Sequence, residues 1–478
     1  MMVNFDRRSM MLGGSSVLLL AALGGCEKLK EKIANRPVRR DVANLAANDP
    51  ILEAYRDAIG QMQALAASDP RNWIQQANIH LNFCPHGNWF FLPWHRGYLL
   101  ALETIVRKLT GENGWAMPYW NWTCQRSIPA PFWAAGSVLN YSPRSATSSS
   151  MANASIVGEA NIASIMAQTD FELFASGAAT ALRGGGGFQG VLEQGPHNYI
   201  HGFIGGTMGT YNSPRDPIFW LHHCNIDRIW FDWNSAGNAN SNDPVYSNFQ
   251  LSGMFVDGDK NPLAYQVGAL ILAPLISYRY DAPAGCAPKI KRLDDAALKS
   301  LLEKGSSARF RTVESLPPVA TNVRLTEAAA MRQRFSVAPD TLKAATEKAM
   351  ETRLVLRLDD VKPDSMTENF FVRVYLNLPM GATPSPNLPN YAGAFAFFVD
   401  EGHNHGPLNY IVDLSETVER LRNSGAGEAA DVSFELVPVR DDDAAKMAAS
   451  RSVLSVGAVV PQLVARTPEV AARPNGQP

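Results

Sequence analysis

The histidines of this chain constrain its fold more than any other residue type. The sequence has 478 residues and nine histidines, and seven of them fall in two short windows, residues 80–95 and 197–223. A single histidine is most often a core or surface residue without a metal. Two clusters in so histidine-poor a chain predict instead a fold that brings several imidazoles together. The seven positions are His80, His86, His95, His197, His201, His222 and His223.

The spacing of these histidines favours a metal site. His197 and His201 are four residues apart, so they share one helix face and can bind one ion. Asp227 follows His223 by four residues, which places a carboxylate where it can orient a ligand imidazole. Neutral imidazole suits copper, zinc, iron and nickel, and the HExxH motif of zinc hydrolases is absent. The first window has three histidines and the second has four, so each can supply three imidazoles to one ion. Two such triplets, six imidazoles in all, predict a dinuclear redox metal centre.

Hydrophobic periodicity divides the chain into a helical part and a β part. Asp49 and Pro50 open a helical pattern, and further helical patterns cover residues 73–110, 194–204, 217–235 and 290–305. Alternating β-branched and aromatic runs begin at about residue 350 and recur up to residue 460. We predict a multidomain α+β protein, with a mainly α-helical central domain built on a four-helix bundle and followed by a C-terminal β-sandwich.

The N-terminal segment has the pattern of an export signal. Arg7 and Arg8 precede a short apolar stretch that ends in small residues, which is typical of a signal peptide for the twin-arginine route. The residues before Cys26 also resemble a bacterial lipobox, so Cys26 is either a lipidated first residue or an incidental cysteine. We therefore expect a periplasmic or lipid-anchored protein, which fractionation of cells that express the full chain would test.

The predicted segments follow from these patterns. They are a signal peptide at 1–26, a linker at 27–48, a metal-binding helical domain at 49–285, a connecting segment at 286–349, a β-sandwich at 350–466 and a disordered tail at 467–478. The net charge of −2, with no basic block, gives no support for a nucleic-acid partner. No apolar run beyond the N-terminal tract is long enough to predict a transmembrane helix in the mature chain.

Two long motifs resemble the copper motifs of one family. Residues 86–103 read HGNWFFLPWHRGYLLALE, and residues 216–228 read DPIFWLHHCNIDR. The first is similar to the first copper motif of tyrosinases and polyphenol oxidases, and the second to their second copper motif, in the family's order. The resemblance covers about residues 40–282, and the chain is identified as a bacterial member with a C-terminal β-sandwich. It implies two copper ions in a type-3 dinuclear centre.

Carried over position by position, the resemblance implies a ligand set. The ligands of the first copper ion would be His80, His86 and His95. Those of the second would be His197, His201 and His223. The family's last ligand stands four residues before an aspartate, here Asp227, so His222 is a neighbour and not a ligand. The segments that contain Arg39 and Tyr280 look like the paired elements that close the family's central domain.

The cysteines carry one further implication. Cys84, Pro85 and His86 resemble the Cys-x-His of fungal-type members, in which the cysteine sulfur is covalently linked to the ligand histidine. This implies a thioether between Cys84 and His86 that would fix the orientation of the ring. The alternative is a free buried cysteine. Cys124 and Cys224 have no such context and are predicted to be core residues.

Two positions near His197 match residues that bear on activity in the family. Glu193 resembles the glutamate that holds a water near the second copper ion, and Asn198 resembles the asparagine that helps to orient this water. Together they could form a weak base that deprotonates a phenol, so both are candidate catalytic residues. The alternative for Glu193 is a carboxylate that stabilises the start of a helix.

The C-terminal strands resemble the β-sandwich that covers the copper site in latent polyphenol oxidases, where a loop side chain blocks the substrate entrance. The loop at 380–391, which carries Leu388 and Tyr391, is the candidate for this plug, and an ordinary hairpin loop is the alternative. His403 and His405 lie in a glycine-rich turn and are predicted to be surface residues, with a role in copper delivery as the alternative.

The implied activity is that of a type-3 copper oxidase. It would use dioxygen to convert phenols and catechols to o-quinones, with hydroxylation of monophenols as well as oxidation of diphenols. One alternative is a catechol oxidase or o-aminophenol oxidase that does not hydroxylate phenols. The others are an oxygen carrier of hemocyanin type and a structural or zinc-binding module.

Overall fold

The computed structural model describes most of the chain from residue 33 onward. The described residues are 33–183, 187–283, 285, 290–326, 330–336, 352–363, 370–397, 408–423, 431–440 and 452–467. The chain divides into two compact units, and neither is continuous in sequence. The first contains the residues up to 85 together with 90–151 and 206–305. The second contains residues 86–89, 152–205 and those from 306 onward.

The helices of the described residues are numbered in chain order. They are α1 (Pro50–Ala64), α2 (Trp73–Phe83), α3 (Phe91–Thr110), α4 (Ala154–Val157), α5 (Glu159–Met166), α6 (Phe171–Phe174), α7 (Asn198–Ile204), α8 (Ile218–Ser235), α9 (Pro244–Ser247), α10 (Val267–Ile271), α11 (Ala273–Ile276), α12 (Asp295–Lys304) and α13 (Ser415–Asn423). A π-helical turn covers Glu193–His197 and leads directly into α7.

The strands are numbered in the same way. They are β1 (Val38–Arg39), β2 (Gln250–Val256), β3 (Pro262–Gln266), β4 (Arg279–Tyr280), β5 (Phe310–Ser315), β6 (Ala320–Thr326), β7 (Met331–Ser336), β8 (Thr352–Pro363), β9 (Phe370–Leu376), β10 (Tyr391–Ala396), β11 (Leu408–Asp413), β12 (Asp431–Arg440) and β13 (Ser452–Arg466). In the first unit β1 pairs with β4, as expected for the elements that close the domain, and β2 pairs with β3.

Helices α1, α2, α3 and α8 build the core of the first unit, where α3 contacts α1 and α8 and α1 contacts α2. Helix α1 begins where the sequence predicts, because the Asp49 side chain accepts a hydrogen bond from the Ile51 amide and Pro50 occupies the first turn. Helix α3 ends at Gly111, whose φ of 78° lies in the left-handed region that favours glycine. The helical part of the predicted fold is confirmed.

Two antiparallel sheets form the β part of the second unit. One has the strand order β10-β9-β12-β7, and the other has the order β11-β8-β13-β5, with β6 also paired to β13. Both sheets contribute to one buried apolar cluster, which contains Leu356 and Leu358 of β8, Val374 of β9 and Phe434 of β12. Sheets that share a core in this way form a sandwich, so the predicted C-terminal β-sandwich is confirmed.

Strands β5, β6 and β7 were not predicted from the sequence. They lie in the region that we expected to be a connecting segment, and β5 is almost entirely exposed, so its sequence lacks an alternating apolar pattern. Long-range pairing explains them, because the 15-residue strand β13 forms hydrogen-bonded ladders with both β5 and β6, and β12 forms one with β7. Tertiary context has overridden a weak local pattern. The predicted domain boundaries stay predictions.

The cysteines agree with the sequence analysis only in part. Cys224 is a buried free thiol, as predicted for a core residue, and Cys84 is also buried and free of a disulfide. Cys124 is disulfide-bonded and half-buried, so its assignment as a core cysteine is wrong.

Several predictions fall outside the part of the chain that the structure describes. These are the signal peptide with Cys26, the two histidines His403 and His405, and the tail from residue 468. They stay predictions. Within the described ranges, no helix is both long enough and apolar enough to cross a membrane.

Candidate dinuclear metal centre

Three of the predicted ligands come together in the first unit. His80 lies on α2, His95 on α3 and His223 on α8, and all three side chains are buried. The ring centroids of His80 and His95 are 5.7 Å apart, and those of His95 and His223 are 3.9 Å apart with nearly parallel planes. Residues from three helices that are distant in sequence thus form one compact group of imidazoles.

Hydrogen bonds select the ligand atom of two of these rings. The Nδ1–H of His80 donates to the carbonyl oxygen of Tyr211 at 2.8 Å, and the Nδ1–H of His95 donates to that of Phe91 at 2.8 Å. A carbonyl oxygen can only accept, so in the neutral rings Nε2 carries the lone pair that can bind a metal. The Sγ atom of Cys84 lies 3.4 Å from the Nε2 atom of His95.

His222 and His223 are neighbours on α8 with different surroundings. The indole Nε1–H of Trp122 donates to Nδ1 of His222 at 3.2 Å. The neutral ring of His222 must then carry its own proton on Nε2, so neither nitrogen keeps a lone pair for a metal. The ring of His223 faces His95 instead. This difference supports the prediction that His223 is a ligand and His222 is not.

A buried charge network lies beside this group. Arg39 Nε donates to Glu103 at 2.9 Å, Arg39 Nη1 donates to Asp227 at 2.9 Å, and Arg96 Nε donates to Asp227 at 2.6 Å. Two hydroxyl groups also donate to the Asp227 carboxylate, those of Tyr278 and Tyr280. Burial alone would raise the pKa of Asp227, but Arg96 and Arg39 outweigh it and hold that pKa below its ordinary value. The network joins β1, α3, α8 and β4.

The other three predicted ligands come together in the second unit. The rings of His86 and His197 have centroids 5.4 Å apart, and those of His197 and His201 are 4.6 Å apart. His197 ends the π-helical turn and His201 lies on α7, so the predicted i, i+4 relation holds. Each unit therefore gathers three imidazoles. These groups differ from the two predicted ligand triplets, because His86 belongs to the second unit and His223 to the first. The assignment of these residues to two copper ions stays a prediction, as does the thioether between Cys84 and His86.

Asn198 orients the ring of His197. Its Nδ2 atom donates to the carbonyl oxygen of Ala396 at 3.0 Å and to Oε1 of Gln189 at 2.6 Å. Because a carbonyl can only accept, the amide orientation is fixed and Oδ1 faces Nδ1 of His197 at 2.9 Å. The Nδ1 atom of His197 then donates, and its Nε2 atom carries the lone pair, as in His80 and His95.

Glu193 is a fully buried carboxyl group in the second unit. Its Oε1 accepts from the Gly87 amide at 2.8 Å, and its Oε2 accepts from the Ser176 hydroxyl. Burial raises the pKa of Glu193 to about 8, and these two hydrogen bonds oppose only part of the shift. The group is therefore mostly protonated at neutral pH. Its roles as a catalytic base and as a carboxylate that stabilises a helix start both stay predictions.

The loop that we predicted as a plug lines a cavity of the second unit. Leu388 and Tyr391 face a space of about 950 Å³ that is also lined by Asn161, Gln168 and Gln194. The chain segment that reaches the side chain of Asn198 is not this loop but the end of β10, through a backbone carbonyl. The role of the loop as a plug stays a prediction.

Three residues near the second histidine group were missed by the sequence analysis. Ser176 bonds Glu193, Gln189 bonds Asn198, and Gln194 bonds the backbone of β11. Ser176 and Gln189 also pair with each other in an isolated antiparallel bridge. Ser176 stands in a stretch rich in alanine and glycine that carries no motif, so only the tertiary structure could identify it. Gln194 directly follows Glu193, a predicted site residue, and this adjacency was the one indication of Gln194 that the sequence offered.

Comparison with sequence families gives two matches. The family described as the common central domain of tyrosinase matches residues 61–172 and 135–236. A second match covers residues 305–455 and is described only as a domain of unknown function. The first match spans all six predicted ligand histidines, from His80 to His223, and the second spans most of the β-sandwich.

Individual relatives cover most of the chain. A tyrosinase of Hahella sp. (strain CCB-MM4) is 26% identical over 83% of this chain and 94% of the relative. The latent form of a chloroplastic polyphenol oxidase of Prunus armeniaca is 26% identical over 84% of this chain and 73% of the relative. Among solved structures, a recombinant latent aurone synthase has a TM-score of 0.67 at 22% identity and covers 90% of both chains. Latent apple tyrosinase has a TM-score of 0.65 at 20% identity and covers 90% of this chain and 97% of its own.

Proposed function

We propose that this chain, which belongs to the family of tyrosinases and polyphenol oxidases, uses two copper ions and dioxygen to oxidise phenols or catechols to o-quinones. The observation that carries the proposal is the gathering of three imidazoles in each unit, with hydrogen bonds that leave Nε2 as the ligand atom of His80, His95 and His197. The residues that would hold copper are His80, His86, His95, His197, His201 and His223. Bound copper would supply the redox chemistry, namely dioxygen binding and the acceptance of electrons from the substrate.

The donor set fits copper because imidazole nitrogen is a preferred ligand of this metal. The protein's own contribution is to orient these rings. The carbonyl groups of Tyr211 and Phe91 fix the tautomers of His80 and His95, and Asn198 fixes that of His197. Loss of such an orienting group typically weakens metal binding by about 10–100-fold.

The proposal is tested by separate assays of the copper-loaded full chain with tyrosine, catechol and o-aminophenol. We expect oxygen consumption and quinone formation with both tyrosine and catechol. Turnover of catechol or o-aminophenol without tyrosine would indicate an oxidase that does not hydroxylate phenols. An oxygen-dependent absorption band without turnover of any substrate would indicate a carrier, and binding of zinc in place of copper would contradict the proposal.

An oxidase restricted to catechols is the second candidate, and one observation favours it. Both amide hydrogens of Asn198 are bonded to protein acceptors, Gln189 and Ala396. In this conformation Asn198 has no amide hydrogen left to donate to a water beside Glu193. Phenol hydroxylation would then depend on Glu193 alone as the base.

We expect phenol hydroxylation to rise with pH relative to catechol oxidation. Burial raises the pKa of Glu193 to about 8, so the carboxyl group becomes a base only as the pH rises through that value. Between one pH unit below and one above this pKa, the ionised fraction rises about tenfold. The ratio of tyrosine to catechol turnover should rise by a similar factor when both rates are measured across this range.

The control for this pH dependence is Glu193→Gln, which keeps the shape of the side chain and cannot titrate. Its tyrosine-to-catechol ratio should be low and nearly independent of pH. A ratio that rises equally in the parent and in Glu193→Gln would show that another group, or ionisation of the phenol itself, sets the dependence.

A further inference from the structure

The turn that leads into the second histidine group is bonded to the β-sandwich. Gln194 is buried, and its side-chain amide makes two hydrogen bonds with the backbone of Ile411 in β11. Its Nε2 atom donates to the Ile411 carbonyl oxygen at 2.7 Å, and its Oε1 atom accepts from the Ile411 amide at 3.3 Å. A buried amide with both its donor and its acceptor engaged forms a specific attachment.

The same segment bonds to an edge strand of each sheet. Strand β11 is at one edge of its sheet, and β10 is at one edge of the other sheet. The Gln189 amide donates to the Asn409 carbonyl of β11 at 3.0 Å, and Asn198 Nδ2 donates to the Ala396 carbonyl of β10 at 3.0 Å. Edge strands have backbone groups without a ladder partner, and here these groups are bonded to the segment that carries His197.

Two features of the turn itself weaken its regular hydrogen bonding. It is a π-helical turn, a rare geometry that is stable only in a supportive context. Pro196 lies inside it and has no amide hydrogen to donate to a helical hydrogen bond. The attachments at Gln194 and Asn198 therefore help to hold His197, which directly follows Pro196, in position.

We propose that Gln194 is a positioning residue for the second copper ion, because its two bonds to β11 couple copper binding by His197 and His201 to the folded β-sandwich. The sandwich is then a structural part of this half of the copper centre, and not only a cover for it. The inference rests on the proposed function, since it takes His197 and His201 as copper ligands.

The test compares two full-length variants that each lose a buried amide. Gln194→Leu removes both bonds to β11. The matched control is Asn390→Leu, because the Asn390 amide donates only to the carbonyl groups of Leu376 and Asn377 within the sandwich. Copper per chain is measured by elemental analysis during titration with copper alone, and thermal unfolding of the metal-free proteins reports whether they fold.

We expect the parent and Asn390→Leu to bind two copper ions. In Gln194→Leu the second ion should bind about 10–100-fold more weakly, so that about one ion remains at concentrations that saturate the parent. Two ions bound by Gln194→Leu with parent affinity, or an equal loss in Asn390→Leu, would overturn the inference and leave the proposed function intact. A parent that binds no copper would overturn both.

A second measurement on the parent chain avoids any variant that fails to fold. Coupling is reciprocal, so copper binding should protect β11 to the same extent that β11 supports copper binding. We expect copper to slow hydrogen exchange of the Ile411 amide by about fivefold or more, with no change in β6, which among the described strands pairs with β13 alone. An unchanged exchange rate at Ile411 in protein with two copper ions would contradict the coupling.

Discussion

Replacement of His223 by glutamine is expected to remove one copper ion and to lower oxidase activity by about 100-fold or more, whereas the same change at His222 leaves both ions in place. The two residues are adjacent and both are buried. The ring of His223 stacks on that of His95 with centroids 3.9 Å apart, but His222 accepts a hydrogen bond from Trp122. That bond leaves His222 without a lone pair for a metal.

The measurement is copper content together with the oxygen-dependent absorption of the copper-loaded proteins. His222→Gln serves as the matched control, because it makes the same change one residue away on the same helix. Thermal unfolding of the metal-free proteins separates loss of a ligand from loss of the fold. Equal copper loss in both variants, or a larger loss in His222→Gln, would show that the ligand assignment on α8 is wrong.

The sequence predicts which histidines approach each other but not what orients them. Spacing and motif order identify His80 and His95, and the structure brings their rings to 5.7 Å. The group that orients His80 is the backbone carbonyl of Tyr211, which is 131 residues away in sequence. Every residue has a carbonyl group, so an orienting carbonyl has no sequence signature.

The same reason explains what was missed at the second histidine group. Asn198 was identified, but its acceptor in the sandwich is the carbonyl of Ala396, a residue whose side chain carries no polar group. The plug loop with Leu388 and Tyr391 was predicted from its side chains, and its role stays a prediction. The attachments between the turn and strands β10 and β11 depend on tertiary structure.

Helices and strands differ in how far the sequence could predict them. Helix α1 has a capping residue, a proline in the first turn and a clear apolar face, so local information was sufficient. Strand β5 has almost no buried residue and exists because it pairs with β13. A strand that depends on a partner about 150 residues away in sequence cannot be found by local periodicity.

Replacement of Asp227 by alanine is expected to lower the free energy of unfolding of the metal-free protein by about 3–5 kcal/mol. The carboxylate is buried and accepts hydrogen bonds from Arg39 and Arg96, whose side chains are 0% exposed. Without this carboxylate, two positively charged guanidinium groups would remain in the interior. Glu103 can compensate the charge of Arg39, with which it forms an ion pair, but not that of Arg96. Chemical denaturation of parent and variant measures the difference.

The control is Asp259→Ala, which breaks an exposed ion pair with Lys108 and should change stability by at most about 1 kcal/mol.

The pH dependence of this effect has a definite sign. Arg96 and Arg39 hold the pKa of Asp227 below its ordinary value, so the folded state binds a proton on this group less readily than the unfolded state does. The charge of Asp227 therefore stabilises the fold fully above the unfolded pKa of about 4, and this contribution is lost as the pH falls through the lower folded pKa. Asp227→Asn keeps a hydrogen-bond acceptor and removes the charge. The stability difference between the parent and Asp227→Asn should be constant from about pH 6 to about pH 7 and should shrink below about pH 4. A difference that grows on acidification would mean that the arginines do not stabilise the charged form, and the network would then be held together by its neutral hydrogen bonds alone.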